Sequence, residues 1–307
     1  MEEGAYTVLM TPFNIDTSSI DFVSYENLLN KQYESDITGV VVLGTTSESP
    51  TLTYDEKLML VKIVWDKLHL TKKIVVGVGG NNTLETLQFA NEIQDYCHYI
   101  MVTVPNYNKP TQAGICEHFL TICQNVTKPC IIYNIPSRCG VNMLPETLKY
   151  VYDNCKNIIA VKESSNSLNQ ILHLKNICNK IQIFSGDDGL IIPVMAIGGV
   201  GVISVAGNIL PDTINELYQL CKKNKYEEAN KLYCKLHNII QTLFIETNPV
   251  PGKRLLELCG IINHSIPRLP LVKMSYENEK KVYECYKHEI LNMTSTDTKS
   301  FSLKVSG

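Results

Sequence analysis

The chain has 307 residues, 44% of them hydrophobic and 19% charged, with a formal net charge of −3. That length and apolar content are enough for one large core of the size that an α/β barrel needs. The near-neutral charge gives no electrostatic basis for binding nucleic acid or anionic lipid, so a small molecule is the expected ligand.

From the N-terminus on, the sequence alternates short apolar runs with longer amphipathic segments. Met1-Glu2-Glu3-Gly4 has neither the basic segment nor the apolar core of a signal peptide, so a cytoplasmic protein is expected. Strand-like runs fall at residues 6–10, 39–43, 74–78, 99–104, 130–133, 158–161, 181–184 and 200–205. Near-continuous apolar strands suit a parallel sheet covered on both faces. Between them, Phe22, Tyr25, Leu29 and Tyr33 repeat at helical spacing. Thr53 and Glu56 have capping-box spacing, Asn82 and Glu85 repeat it, and Pro145 suits a first helical turn. The eleven cysteines stand singly, never as Cys-x-x-Cys, and read as reduced, mostly buried thiols.

Residues 189–210 carry no charge, but Pro193 and Gly198-Gly199 break the stretch. It reads as a buried helix over 191–197 and a strand over 200–205, not as a membrane span. Strand alternating with helix eight times predicts an α/β fold, a (β/α)8 barrel with a C-terminal helical extension. No G-x-G-x-x-G opens a helix, which argues against an open dinucleotide-binding sheet. Beyond 210, residues 212–245 and 272–290 read as helices joined through Asn248-Pro249-Val250-Pro251. The expected division is a catalytic barrel over 1–225, a helical region over 226–293 and a disordered tail over 294–307.

In such a barrel the active site gathers at the C-terminal ends of the strands. Those ends carry Gly44-Thr45-Thr46-Ser47-Glu48-Ser49, Pro105-Asn106-Tyr107-Asn108, Tyr133-Asn134-Ile135-Pro136-Ser137-Arg138, Lys162-Glu163-Ser164 and Ser185-Gly186-Asp187-Asp188. Lys162 closes an apolar run. It is either a snorkelling or Asp187-paired structural lysine, or a nucleophile, since an apolar mouth disfavours an ammonium and a neutral amine attacks carbonyls. Tyr107 and Tyr133 are either edge packing or parts of a proton relay. Arg138 is either a surface ion pair or a bidentate clamp for a substrate carboxylate. Asp187-Asp188 has no histidine or third carboxylate nearby in sequence, so no metal is expected.

Taken in order, these motifs resemble the dihydrodipicolinate synthase and N-acetylneuraminate lyase family of pyruvate-dependent class I aldolases. The resemblance runs from Thr11-Pro12-Phe13 to about Leu271. It includes Gly201-Val202-Ile203-Ser204-Val205, Asn248-Pro249-x-Pro251-x-Lys253 and Arg268-Leu269-Pro270. It implies that Lys162 forms an imine with pyruvate, which would be the only covalent group needed, with no cofactor. Tyr133 would move protons, with Thr45 and Tyr107 completing the relay. Thr46 and the backbone at Ile203 would hold pyruvate, beside Gly186, and Arg138 would bind the carboxylate of aspartate 4-semialdehyde.

The resemblance further implies that Tyr107 enters a neighbouring subunit's site in a homodimer or homotetramer, and that the reaction belongs to the diaminopimelate route to lysine. Another pyruvate aldolase on the same scaffold, of the sialic-acid or keto-deoxy-sugar type, is the alternative. The Thr45-Thr46 pair and Arg138 favour the synthase. Ser49, Asn81, Glu85 and Asn106 fall at the family's lysine-feedback positions, where Asn106 replaces the usual aromatic. Ser47 stands where the family usually has glycine, and is expected to strain or reshape the turn.

Overall fold

The computed structural model describes residues 1–293; the tail expected at 294–307 lies outside the described residues. Strands β1 (Gly4–Val8), β2 (Gly39–Val42), β3 (Lys73–Gly77), β4 (Tyr99–Thr103), β5 (Cys130–Asn134), β6 (Ile158–Glu163), β7 (Gln182–Ser185) and β8 (Gly201–Ser204) pair in parallel and in sequence order. β1 also pairs with β8, which closes the barrel. All eight expected runs therefore become strands, displaced by a few residues at their ends.

Alternation along each strand explains the composition of the runs. Val41, Val75, Met101, Ile131, Phe184 and Ile203 point inward and fill the barrel. Their neighbours Val40, Val42, Ile74, Val76, Ile100 and Ile132 point outward into the layer under the helices. Both faces are buried, so both must be apolar. Each such side chain adds about 1.5–3 kcal/mol of burial.

The outer layer is α1 (Phe22–Glu34), α2 (Tyr54–Leu68), α3 (Thr83–Ile93), α4 (Gln112–Cys123), the single turn α5 (Pro136–Cys139), α6 (Pro145–Asn154), α7 (Leu168–Ile177) and α8 (Ile191–Ala196). Thr53 and Glu56 form both halves of a capping box at α2. At α3 the device is only half made. Asn82 accepts from the backbone of Leu84 and Glu85, but the Glu85 carboxylate accepts from the Asn82 side-chain amide. Pro145 opens α6 as expected.

The C-terminal region differs from expectation in two places. The long helix expected over 212–245 is split into α9 (Pro211–Lys222) and α10 (Tyr226–Leu243), because Asn224 adopts a left-handed backbone with φ 57°. The segment taken as a plain connector contains α11 (Val250–Leu258), with Pro251 in its first turn, where a missing N–H costs nothing. Helix α12 (Tyr276–Cys285) follows and runs into a wider turn at Tyr286–Ile290. The cysteines are unpaired, mostly buried thiols, with Cys234 exposed.

Candidate active site

Lys162, the last residue but one of β6, pairs with Tyr133 on β5, one register pair from Asn134 and Glu163. Both residues are buried, and the Lys162 Nζ stands 4.2 Å from the centre of the Tyr133 ring. Among the described residues Lys162 makes no ion pair, so the structural pairing with Asp187 is not formed. The Asp187 carboxylate instead accepts from the Gly189 amide at 2.7 Å. Gly186 leaves room for the lysine stem: a Cβ there would sit 1.9 Å from Ser164 Oγ and 2.9 Å from Lys162 Cε. Ile203 belongs to the same interior cluster as Tyr133 and Phe184.

Behind Lys162, a polar network fixes the two strand ends. The buried Glu163 carboxylate accepts from Asn134 Nδ2 at 3.2 Å, from the Ser165 amide at 2.8 Å and from Gln170 Nε2 at 3.3 Å. Burial nevertheless pushes its pKa above the ordinary carboxylate value. Asp188 is buried too, and its Oδ2 accepts from the amides of Val205 and Ala206. It therefore anchors the turn that follows β8. Neither carboxylate was assigned a role from sequence, although Glu163 adjoins Lys162 and Asp188 lies two residues beyond Gly186.

The turn after β2 holds Thr45 and Thr46. Ser47 is not the strained residue: it is absent from the left-handed region, which Glu48 occupies with φ 54°. The Ser47 hydroxyl donates to the Leu9 carbonyl at 2.6 Å, and the Ser47 carbonyl accepts from Thr11 Oγ1 at 2.9 Å. A glycine would supply only the second of these bonds. Glu48 is held by Lys253 Nζ at 2.5 Å and by the Arg268 amide at 2.9 Å. Burial pushes the Lys253 pKa down, to about 8, against the opposing pull of Glu48. Arg268 in turn grips Glu56 through two bonds of 2.6 and 2.7 Å.

A cavity of about 540 Å³ opens over this rim, lined in part by Thr45, Ser49, Asn81, Asn106, Arg138 and Asn248. Arg138 is exposed, has no ion-pair partner among the described residues, and donates from Nη2 to the Asn248 carbonyl at 3.1 Å. The surface ion pair considered for it is therefore not formed. A second cavity of about 280 Å³ adjoins the first, and Ser49, Tyr54, Lys57, Asn81 and Glu85 line it. Asn106 lines only the larger cavity, and Pro50 sits in the first turn of the short Ser49–Thr51 helix, where its missing N–H breaks no ladder. Tyr107 shares neither the burial of Tyr133 nor the cavity wall that Thr45 forms. It is 85% exposed, with a left-handed φ of 64°. Asn248, whose side chain donates to Thr46 Oγ1 at 3.0 Å, was visible in sequence only as part of a Pro-rich motif.

The chain is similar to known proteins along almost all of its length. A profile of the "Dihydrodipicolinate synthetase family" matches residues 1–289. The 4-hydroxy-tetrahydrodipicolinate synthase of Endomicrobium trichonymphae is 39% identical over 288 residues, covering 94% of this chain and 98% of that one. The crystal structure of dihydrodipicolinate synthase from Aquifex aeolicus superposes with a TM-score of 0.90 at 36% identity, covering 94% and 98% of the two chains. The 4-hydroxy-tetrahydrodipicolinate synthase of Methylacidiphilum fumariolicum SolV gives 0.91 at 35% identity, covering 96% and 99%.

Proposed function

We propose, from the premise that this chain belongs to the dihydrodipicolinate synthetase family, that it condenses pyruvate with L-aspartate 4-semialdehyde to 4-hydroxy-tetrahydrodipicolinate. It is a lyase of the class I aldolase type, acting in lysine biosynthesis by the diaminopimelate route. The observation that carries the site assignment is the buried Lys162 amine set 4.2 Å from the Tyr133 ring at the end of the barrel.

Each proposed role follows from what its residue can do chemically. The Lys162 amine attacks the pyruvate ketone, and loss of water leaves an imine. The imine draws electrons from the methyl carbon, so losing a methyl proton gives an enamine whose carbon attacks the aldehyde. Protons must be moved at each stage, and Tyr133 with Thr45 supplies hydroxyls that pass them on. Thr46 donates to the pyruvate carboxylate, with Ile203 and Gly186 bounding that end of the pocket. Arg138 offers a planar fork to the carboxylate of the second substrate. The covalent imine is the electron sink, so no cofactor is required.

Tyr107 is the reason for assigning a homo-oligomer. An exposed tyrosine held in a left-handed backbone is costly, and is explained if it completes the relay in a second copy. A homodimer satisfies this, and a homotetramer would contain it. Among the described residues no helix is long and apolar enough to cross a membrane; we place the enzyme in the cytoplasm. The test is direct: purified protein supplied with pyruvate and aspartate semialdehyde should consume both at equal rates. Cleavage of a sialic or keto-deoxy sugar acid without that condensation would assign it to another aldolase.

A further inference from the structure

Thr46 and Arg138 lie on separate short turns, one after β2 and one after β5, and each bonds to a different group of the same residue. Asn248, from the turn between α10 and α11, donates from Nδ2 to Thr46 Oγ1 at 3.0 Å. Its backbone carbonyl accepts from Arg138 Nη2 at 3.1 Å. It is 7% exposed and forms part of the wall of the larger cavity. We infer that Asn248 is a positioning residue for both substrates: its side chain aims the Thr46 hydroxyl at the pyruvate carboxylate, and its carbonyl steadies Arg138 for the second substrate.

The argument turns on the polarity of one hydrogen bond. A threonine hydroxyl has one hydrogen and two lone pairs. A carboxylate only accepts, so Thr46 can serve it only by donating. With the Asn248 amide donating into one of its lone pairs, the Thr46 hydrogen stays available. The opposite amide orientation would take that hydrogen for Asn248 Oδ1. Among the described residues Oδ1 is buried without a partner, and leaving an acceptor unmatched has a cost. Turning the amide over would leave its NH2 unmatched in place of Oδ1, and would disable Thr46. The orientation observed is thus the one that leaves the Thr46 hydrogen free for the substrate. The Arg138 bond uses the backbone carbonyl and survives any change of side chain.

The two contacts can therefore be separated by experiment. The inference rests on the reading of Thr46 as the carboxylate donor, so Thr46→Val is measured alongside Asn248→Ala and Asn248→Asp. Two quantities are read: the pyruvate concentration that half-saturates borohydride trapping, and the KM for aspartate semialdehyde at saturating pyruvate. Asn248→Ala should raise half-saturating pyruvate by about tenfold. Asn248→Asp, although isosteric, should raise it on the order of a hundredfold, because a carboxylate captures the Thr46 hydrogen and repels the substrate. Both should leave the semialdehyde KM within about threefold of wild type, because the carbonyl that holds Arg138 remains.

A raised value in Thr46→Val with unchanged Asn248 variants overturns the role of Asn248 alone. An unchanged Thr46→Val overturns the reading of Thr46, and the inference with it. An aspartate variant no worse than alanine, or a semialdehyde KM that rises in parallel, also overturns it. Circular dichroism melting accompanies each variant. Loss of the fold in both Asn248 variants would make the residue structural and refute the proposal.

Discussion

Lys162 and Tyr133 face each other in register across β5 and β6, with the amine 4.2 Å from the ring centre. Neither side chain has much freedom, since both are buried among the strand ends. Borohydride reduces an imine to a stable amine, so pyruvate plus borohydride should add one adduct per chain, on Lys162. Tyr133→Phe should keep the fold and slow trapping by about a hundredfold or more, the usual contribution of a positioned proton donor. Peptide mapping decides the point; an adduct on any other lysine would sink the mechanism.

Arg138 has no acidic partner among the described residues, so its removal should cost little stability. Arg138→Ala is expected to raise the semialdehyde KM by about thirtyfold, equivalent to about 2 kcal/mol of a charged contact. Pyruvate trapping should be nearly unchanged. Steady-state kinetics beside trapping give the answer, and a parallel fall in both would show a structural arginine.

Free lysine should inhibit weakly or not at all. Ser49, Asn81 and Glu85 line one cavity and could bind the polar ends of an amino acid. Asn106, in the adjoining cavity, cannot cover an aliphatic stem as an aromatic ring would, a loss of roughly 1–3 kcal/mol of burial. A lysine titration checks this, and Asn106→Tyr should restore inhibition. Strong inhibition of the unmodified chain at low millimolar lysine contradicts it.

The Glu56–Arg268 pair should be visible in acid unfolding. Hydrogen bonding from Arg268 holds the Glu56 carboxyl below its ordinary value of 4.5. Such a group stabilises the fold above that value, and the contribution is lost as pH falls through the lower, folded pKa. Glu56→Gln should therefore destabilise by about 1–2 kcal/mol at pH 7, with the deficit shrinking below about pH 4.5. Urea unfolding at several pH values measures this, and a pH-independent deficit would exclude the linkage.

Much of this was legible in the sequence because strands and motifs are local. Val40, Val41 and Val42 announce a strand buried on both faces whatever lies beside them. The Thr53–Glu56 cap needs only four residues. Positive φ at Glu48 and not at Ser47 was not legible, because it depends on Lys253 and the Arg268 amide holding the carboxylate from far along the chain. The Asn248 bonds were hidden for the same reason. Helix α11 was missed because a proline pair reads as a break until its place in a first turn is known.

The rim of the barrel is completed from the late part of the chain: Asn248, Lys253 and Arg268 bond to Thr46 and Glu48, more than 200 residues earlier. Chains are synthesised from the N-terminus. A nascent polypeptide that has released all eight strands still carries Glu48 with neither its ammonium nor its amide partner. A ribosome halted before residue 268 would display a barrel with an unfinished mouth. The substrate pocket is thus among the last features of the molecule to mature, and a gene fusion or recombination break placed after β8 would inherit the strands without the pocket.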